Sequence, residues 1–131
     1  MTPGRRVDGG ERGSAPVEFV LVGILLTVLF LAIVQLGLDL HVRNVLVASA
    51  SEGARYGANA DRQPADGVTR TQDLITSALS VRFARDVSAG IEQANGADLV
   101  VIRVRAPLPV FALYGPSDVL SVAGHALREG P

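Results

Sequence analysis

The sequence contains no cysteine, and that single absence removes disulfide frameworks, thiolate zinc sites, thiol catalysis and cysteine-linked lipid anchors. It suits export to an oxidising compartment and a reducing one equally well. Lysine is missing too: all 12 basic residues are arginines, spread along the chain at a formal net charge of -1. No electrostatic footprint for nucleic acid results. Histidine occurs twice, as His41 and His125, in different expected elements and without a ligand spacing such as H-E-x-x-H. Neither a G-x-S-x-G elbow nor a phosphate-cradling glycine loop is present. The expectation is a chain that is not an enzyme, with no catalytic residues, metal, cofactor or small-molecule substrate. At 131 residues it holds one modest folded domain, and a large two-domain enzyme is excluded.

Charge is also lacking from one long stretch. Phe19 to Leu38 reads FVLVGILLTVLFLAIVQLGL, in which only Thr27 and Gln35 are polar. About twenty residues rising ~1.5 Å each span a hydrocarbon core of ~30 Å, so a transmembrane helix in a lipid bilayer is expected. A buried core helix is the alternative, but the remaining chain is too short to wrap a helix that is apolar on every face. Arg5, Arg6 and Arg12 precede the span, whereas Asp39, His41 and Arg43 follow it. The positive flank places the amino terminus in the cytoplasm and the rest of the chain outside. Ala48-Ser49-Ala50 resembles a signal-peptidase site. Against cleavage there, the apolar run exceeds the usual ~7 to 15 residues and charged residues separate it from the alanines.

At the start of the span, Glu18 is an acid where a carboxylate carried toward the bilayer centre costs ~2.5 kcal/mol or more. Local physics makes it tolerable. A helix beginning near Ala15 or Pro16, with Ser14 as cap, presents Glu18 to the positive end of its dipole, worth roughly 0.3 to 1 kcal/mol. That does not explain why a basic leader stops at Gly13 immediately before it.

A short basic leader ending in Gly13, then Ser14-Ala15-Pro16-Val17-Glu18-Phe19 and an apolar helix, resembles a type IV prepilin signal. More narrowly, "RGSAPVEFVLV", Gln35-Leu36-Gly37 and the later "ASEGARYGA" (Ala50 to Ala58) resemble the TadE-like minor pilins (pseudopilins) of bacterial tight-adherence (Tad, or Flp-type) pili. The resemblance extends roughly from Arg12 to Ala58. It implies cleavage between Gly13 and Ser14 by a membrane-embedded prepilin peptidase whose catalytic aspartates lie in that enzyme. It also implies other pilins and inner-membrane pilus assembly proteins as partners. Glu18 then pairs with the amine that cleavage creates on Ser14, its own or a neighbour's, with the neighbour favoured. Such an amine is largely protonated near neutral pH. Phe19 either takes part in signal recognition or is an ordinary interfacial aromatic. One departure is that many family members carry a proline about six residues after the glutamate, where this chain has Ile24 preceded by Gly23.

The helix is expected to continue outside the bilayer to about Gly57, with Leu40, Asn44, Val47, Ser51, Ala54 and Ala58 on one stripe. Ala50, Ala54 and Ala58, with Gly53 and Gly57, allow close helix approach. They suit either a bundle of pilin stems or packing against the chain's own head. Glu52 and Arg55 read as a solvated ion pair. Asn59 to Arg70, with Pro64 and Asp66-Gly67, reads as a loop without the ligand pattern of a calcium site. A second helix is expected from about Thr71 to Asp86, carrying Leu74, Ile75, Ala78, Leu79 and Phe83 and capped by Thr69 and Gln72.

Val87 to Gln93 is a weak strand, Asn95-Gly96 a hairpin turn, Leu99 to Ala106 a strong strand, and Asp118 to Arg128 the last strand. Between the last two, Phe111, Leu113 and Tyr114 form an apolar cluster. It is either a contact surface or, as favoured here, tucked under the sheet.

The expected fold class is therefore α+β. A leader occupies residues 1–13, a transmembrane and protruding helix residues 14–58, and residues 59–131 form a small pilin-like head of one helix on a roughly three-stranded antiparallel sheet. Two functions compete. One is a minor pilin of a Tad pilus or related secretion apparatus, membrane-resident or incorporated into an extracellular pilus; the other is a membrane-anchored or secreted binding module.

Overall fold

The computed structural model describes residues 2–4, 11–108 and 119–130. The order of elements is helix α1 (Glu11–Ala58), helix α2 (Pro64–Ala78), a 3-10 turn (Val81–Ala84), and strands β1 (Asp86–Ala94), β2 (Ala97–Pro107) and β3 (Val119–Leu127). This is the expected α+β class. Contacts divide the chain into two compact units, Met1–Leu36 and Gly37–Pro131. The end of α1 at Ala58 thus falls well inside the second unit.

In the first unit, α1 carries large apolar residues on all sides, and every described side chain from Gly13 to Val34 is exposed. The helix is long and apolar enough to cross a membrane, and its apolar window is unburied among the described residues. No face is reserved for a protein core. The helix starts earlier than expected, at Glu11 rather than near Ala15, so Pro16 lies inside it. Proline has no N–H, which leaves the Arg12 carbonyl without its partner four residues on.

In the second unit, the sheet has order β1-β2-β3, antiparallel throughout. The β1–β2 hairpin closes through Asn95 (φ 52°) and Gly96 (φ 79°), both in the left-handed region that a two-residue turn of this kind requires. Registers Ala89↔Ile102 and Ile102↔Gly124 fix which residues share a face. Val100, Ile102, Val104 and Ala106 of β2 alternate toward the core, while Arg103 and Arg105 are exposed on the other face. The core combines these with Val42, Leu46, Ala50 and Ala54 of α1, Ile75 of α2 and Val122 of β3. Leu79 and Phe83 are partly buried against it.

The structure corrects the reading of the connecting region. Residues 59–70 are not all loop: α2 begins at Pro64, a first-turn position where the missing N–H costs nothing. The Gln63 N–H donates to Asp66 Oδ2 at 2.8 Å, and the Asp66 N–H donates to the Gln63 carbonyl at 2.9 Å. Asp66 is therefore a helix-capping residue and Gly67 is helical, rather than the two forming a turn. Thr69 and Gln72 do not cap; the Gln72 side-chain amide instead donates to the Ala84 carbonyl at 3.3 Å. The helix also stops sooner, at Ala78. Leu79 leaves helical geometry (φ -123°, ψ -93°), and residues expected in its last turns form the 3-10 turn and open β1.

Candidate functional site

The two units offer two sites of different kinds: the amino-terminal signal on exposed helix, and a seam of small residues where α1 meets the head.

Gly13, Ser14, Glu18 and Phe19 all lie on α1. Ser14 and Glu18 are four residues apart and so share a face of the helix. Both are exposed, and Phe19 is 80% exposed. A Cβ added at Gly13 would meet nothing within 4 Å. Glu18 is the only charged side chain between Ser14 and Leu38. The remaining polar groups of the span, Thr27 and Gln35, sit deeper, and the Thr27 hydroxyl returns a hydrogen bond to the Gly23 carbonyl at 2.8 Å. A helix can satisfy a hydroxyl internally in this way, but no such device neutralises a carboxylate. The leader arginines Arg5 and Arg6, and the Phe111, Leu113 and Tyr114 cluster, lie outside the described residues.

The seam is built from the second half of α1. Val42, Leu46, Ala50, Ala54 and Ala58 are buried at a spacing of four, joined by Ser49, Gly53 and Gly57. This corrects the expected stripe: Leu40 is 53% exposed, Asn44 is exposed and Val47 is 38% exposed, while Ala54 and Ala58 are buried as expected. The contact face opens with the larger Val42 and Leu46 and continues from Ser49 with small residues that let backbones approach. A Cβ on Gly67 would lie 2.4 Å from the Gly53 carbonyl oxygen, and one on Gly124 would lie 2.3 Å from the Ala50 carbonyl carbon. α1 is thus pressed against α2 at one point and against β3 at the other.

Between the helices, the wholly buried Thr71 donates its hydroxyl to the Gly67 carbonyl at 2.8 Å and lies 3.4 Å from the Ser49 carbonyl. At the far end the Glu129 N–H donates to the Ala58 carbonyl at 3.0 Å. Of the two uses open to the small residues, the chain makes the intramolecular one. Neither Thr71 nor Gly124 stands out as a contact residue in the sequence, and Gly67 reads there only as part of a turn; a glycine inside a strand such as Gly124 is the signal that a backbone approaches closely.

Glu52 and Arg55 are not ion-paired. The ion pairs among the described residues are Arg62 with Asp61 and Arg103 with Glu92. His41 and His125 are both exposed and belong to separate elements. No group of three or more metal-ligating side chains occurs among the described residues.

One apolar helix able to span a bilayer, joined to a small α+β unit, fits a single-pass membrane anchor. Residues 13–55 match the family model described as TadE-like protein, which confirms for this segment the likeness read from its motifs. Comparison with curated proteins and with solved structures gave no match. The matched stretch covers Gly13, Ser14, Glu18, the span and most of the seam. The family likeness points to a role connected with Tad pili.

Proposed function

We propose that the chain is a minor pilin or pseudopilin of a Tad (Flp-type) pilus or related secretion apparatus, cut after Gly13 by a prepilin peptidase and assembled through its amino-terminal helix. The observation that carries this reading is the family match, which begins at Gly13 and runs through the lone span carboxylate Glu18. The amino terminus lies in the cytoplasm and the head outside, in keeping with the arginine-rich leader. The partners are the peptidase, other pilins, inner-membrane assembly proteins and the bilayer, and the protein performs no catalysis of its own.

The local helix supports the cut. Gly13 and Pro16 both lower the cost of opening α1 around the Gly13–Ser14 bond, glycine by roughly 1 kcal/mol relative to alanine and proline by removing a hydrogen bond. In the processed chain Pro16 becomes the third residue of the helix, where its missing N–H costs nothing. Glu18 then lies one turn from a new amine. At a few ångströms and an effective dielectric constant of ~20, opposite charges attract by several kcal/mol. That strength suits the pair to setting register between subunits.

Mass spectrometry of the mature amino terminus tests the reading. Ser14 is the expected first residue, while Met1 or a terminus near Ser51 supports the anchored or secreted binding module instead. Glu18→Ala should leave cleavage largely intact and block co-assembly; normal incorporation of that variant would refute the assembly role of the carboxylate.

A further inference from the structure

We infer that the end of the head at which α1 enters it is a docking surface for anionic phospholipid headgroups of a bilayer. The inference rests on the membrane-anchor reading and adds to it a contact between head and lipid.

The contacts of α1 with β3 establish which end this is. Gly124 lies against Ala50, and Glu129 bonds to Ala58, so the two elements run in the same direction. Ser121, three residues before Gly124, is then roughly 10 Å nearer the start of this unit, a distance that about seven helical residues cover. That brings Ser121, and Arg105 paired with it, to about the level of Arg43. Asp86 pairs with Arg105 in turn, so the start of β1 and the preceding 3-10 turn lie at the same end.

Three arginines gather there. Arg82, Arg85 and Arg105 line one shallow cleft with Asp86, Pro107 and Val119. All three are exposed, and none is in an ion pair with a described residue. Among the described residues, Asp39 and Asp86 are the acids at this end, against Arg43, Arg82, Arg85 and Arg105; Asp118, next to Val119, lies outside the described residues. Val81 and Val119, at 61% and 60% exposure, add apolar surface beside the guanidinium groups. Interfacial layers select this combination: apolar side chains enter the acyl boundary while arginines hold phosphates.

The distance from the bilayer decides the occupant. Leu38 ends the apolar segment, and Val42, already 2% exposed, is packed in the head core. Four residues of helix rise only about 6 Å, comparable with the ~5 to 7 Å thickness of one headgroup layer. A head that begins so close to the hydrocarbon edge has its lower surface among the headgroups. Positive charge held there is drawn to an anionic surface, within a Debye length of about 8 to 10 Å.

The absence of cysteine makes the test direct. The full chain carrying Ser121→Cys, or Ala94→Cys at the hairpin end as control, is labelled with a nitroxide. It is reconstituted in vesicles of phosphatidylcholine alone or with phosphatidylglycerol, and accessibility to a water-soluble nickel chelate is measured. The label at residue 121 should be severalfold more protected in the anionic vesicles, and the label at residue 94 equally accessible in both. Each arginine replaced among Arg82→Gln, Arg85→Gln and Arg105→Gln should lower the docked-to-free ratio about fivefold. The triple variant should show no lipid dependence, with a circular dichroism spectrum matching the parent's. Chains that float with the vesicles yet show equal protection at residue 121 in both lipids overturn the docking alone. A lipid dependence that survives the triple substitution overturns it as well, and a chain that does not float removes anchor and docking together.

Discussion

The two halves of α1 share one secondary structure and present opposite surfaces. Before Leu36 the helix carries leucine, isoleucine, valine and phenylalanine on every side, all exposed; beyond Val42 its buried face is mostly alanine and glycine. Side-chain size reports the intended neighbour. Fluid acyl chains conform to bulky residues and need no fixed register, so the span can be apolar all round. A folded partner gains from close approach, so the seam is lined with residues that let backbones touch. The same distinction separates the glycines. A Cβ at Gly23 or Gly37 would meet nothing within 4 Å, whereas one at Gly53 or Gly124 would lie closer than 3 Å to its neighbours.

The sharpest way to break this contrast is Gly124→Val. Its Cβ would sit 2.3 to 2.4 Å from backbone atoms of Ala50 and Ser51, and helix backbone cannot give way as a flexible side chain can. We expect a loss of about 3 kcal/mol or more of head stability. Hydrogen exchange of the β2 and β3 amides in detergent-solubilised protein reads it, and unchanged protection would show that the contact is not close. A smaller effect is expected from Asp66→Ala, which removes the 2.8 Å hydrogen bond to the Gln63 N–H at the start of α2. Losing the cap should cost about 1 kcal/mol, seen as faster exchange confined to α2.

The same contrast explains what could be read from sequence. The span, the Asn95-Gly96 hairpin and the three strands were legible because each has a local cause: continuous apolarity, positive φ, or alternation. The seam was legible only as a composition. Ala50, Ala54 and Ala58 announce close packing without naming the partner, and the choice between a neighbouring stem and the chain's own head depends on Gly67 and Gly124, distant in sequence. Asp66-Gly67 misled for the same reason. The pair has the chemistry of a turn, and only the packing of α2 on α1 makes Asp66 a cap and Gly67 a contact. The end of α2 was overrun because Leu79 and Phe83 keep helical spacing yet reach the core from a cap residue and a 3-10 turn.

The smallest effect should come from Gly23→Ala, and its smallness is informative. Gly23 lies in the amino-terminal third of the span with open space around it, and its carbonyl would still accept the Thr27 hydroxyl. Alanine favours a helix interior by up to roughly 1 kcal/mol over glycine, so the span should become slightly more rigid. Head stability should not change, because residue 23 belongs to the first unit and has open space around it. Amide exchange in the head should therefore match the parent within error, set beside the large loss at Gly124. Were Gly23→Ala to weaken the head, the division of α1 at Leu36 into a lipid-facing half and a protein-facing half would be wrong. If exchange is unchanged while subunit incorporation falls, close helix approach at Gly23 belongs to the assembly rather than to the single chain.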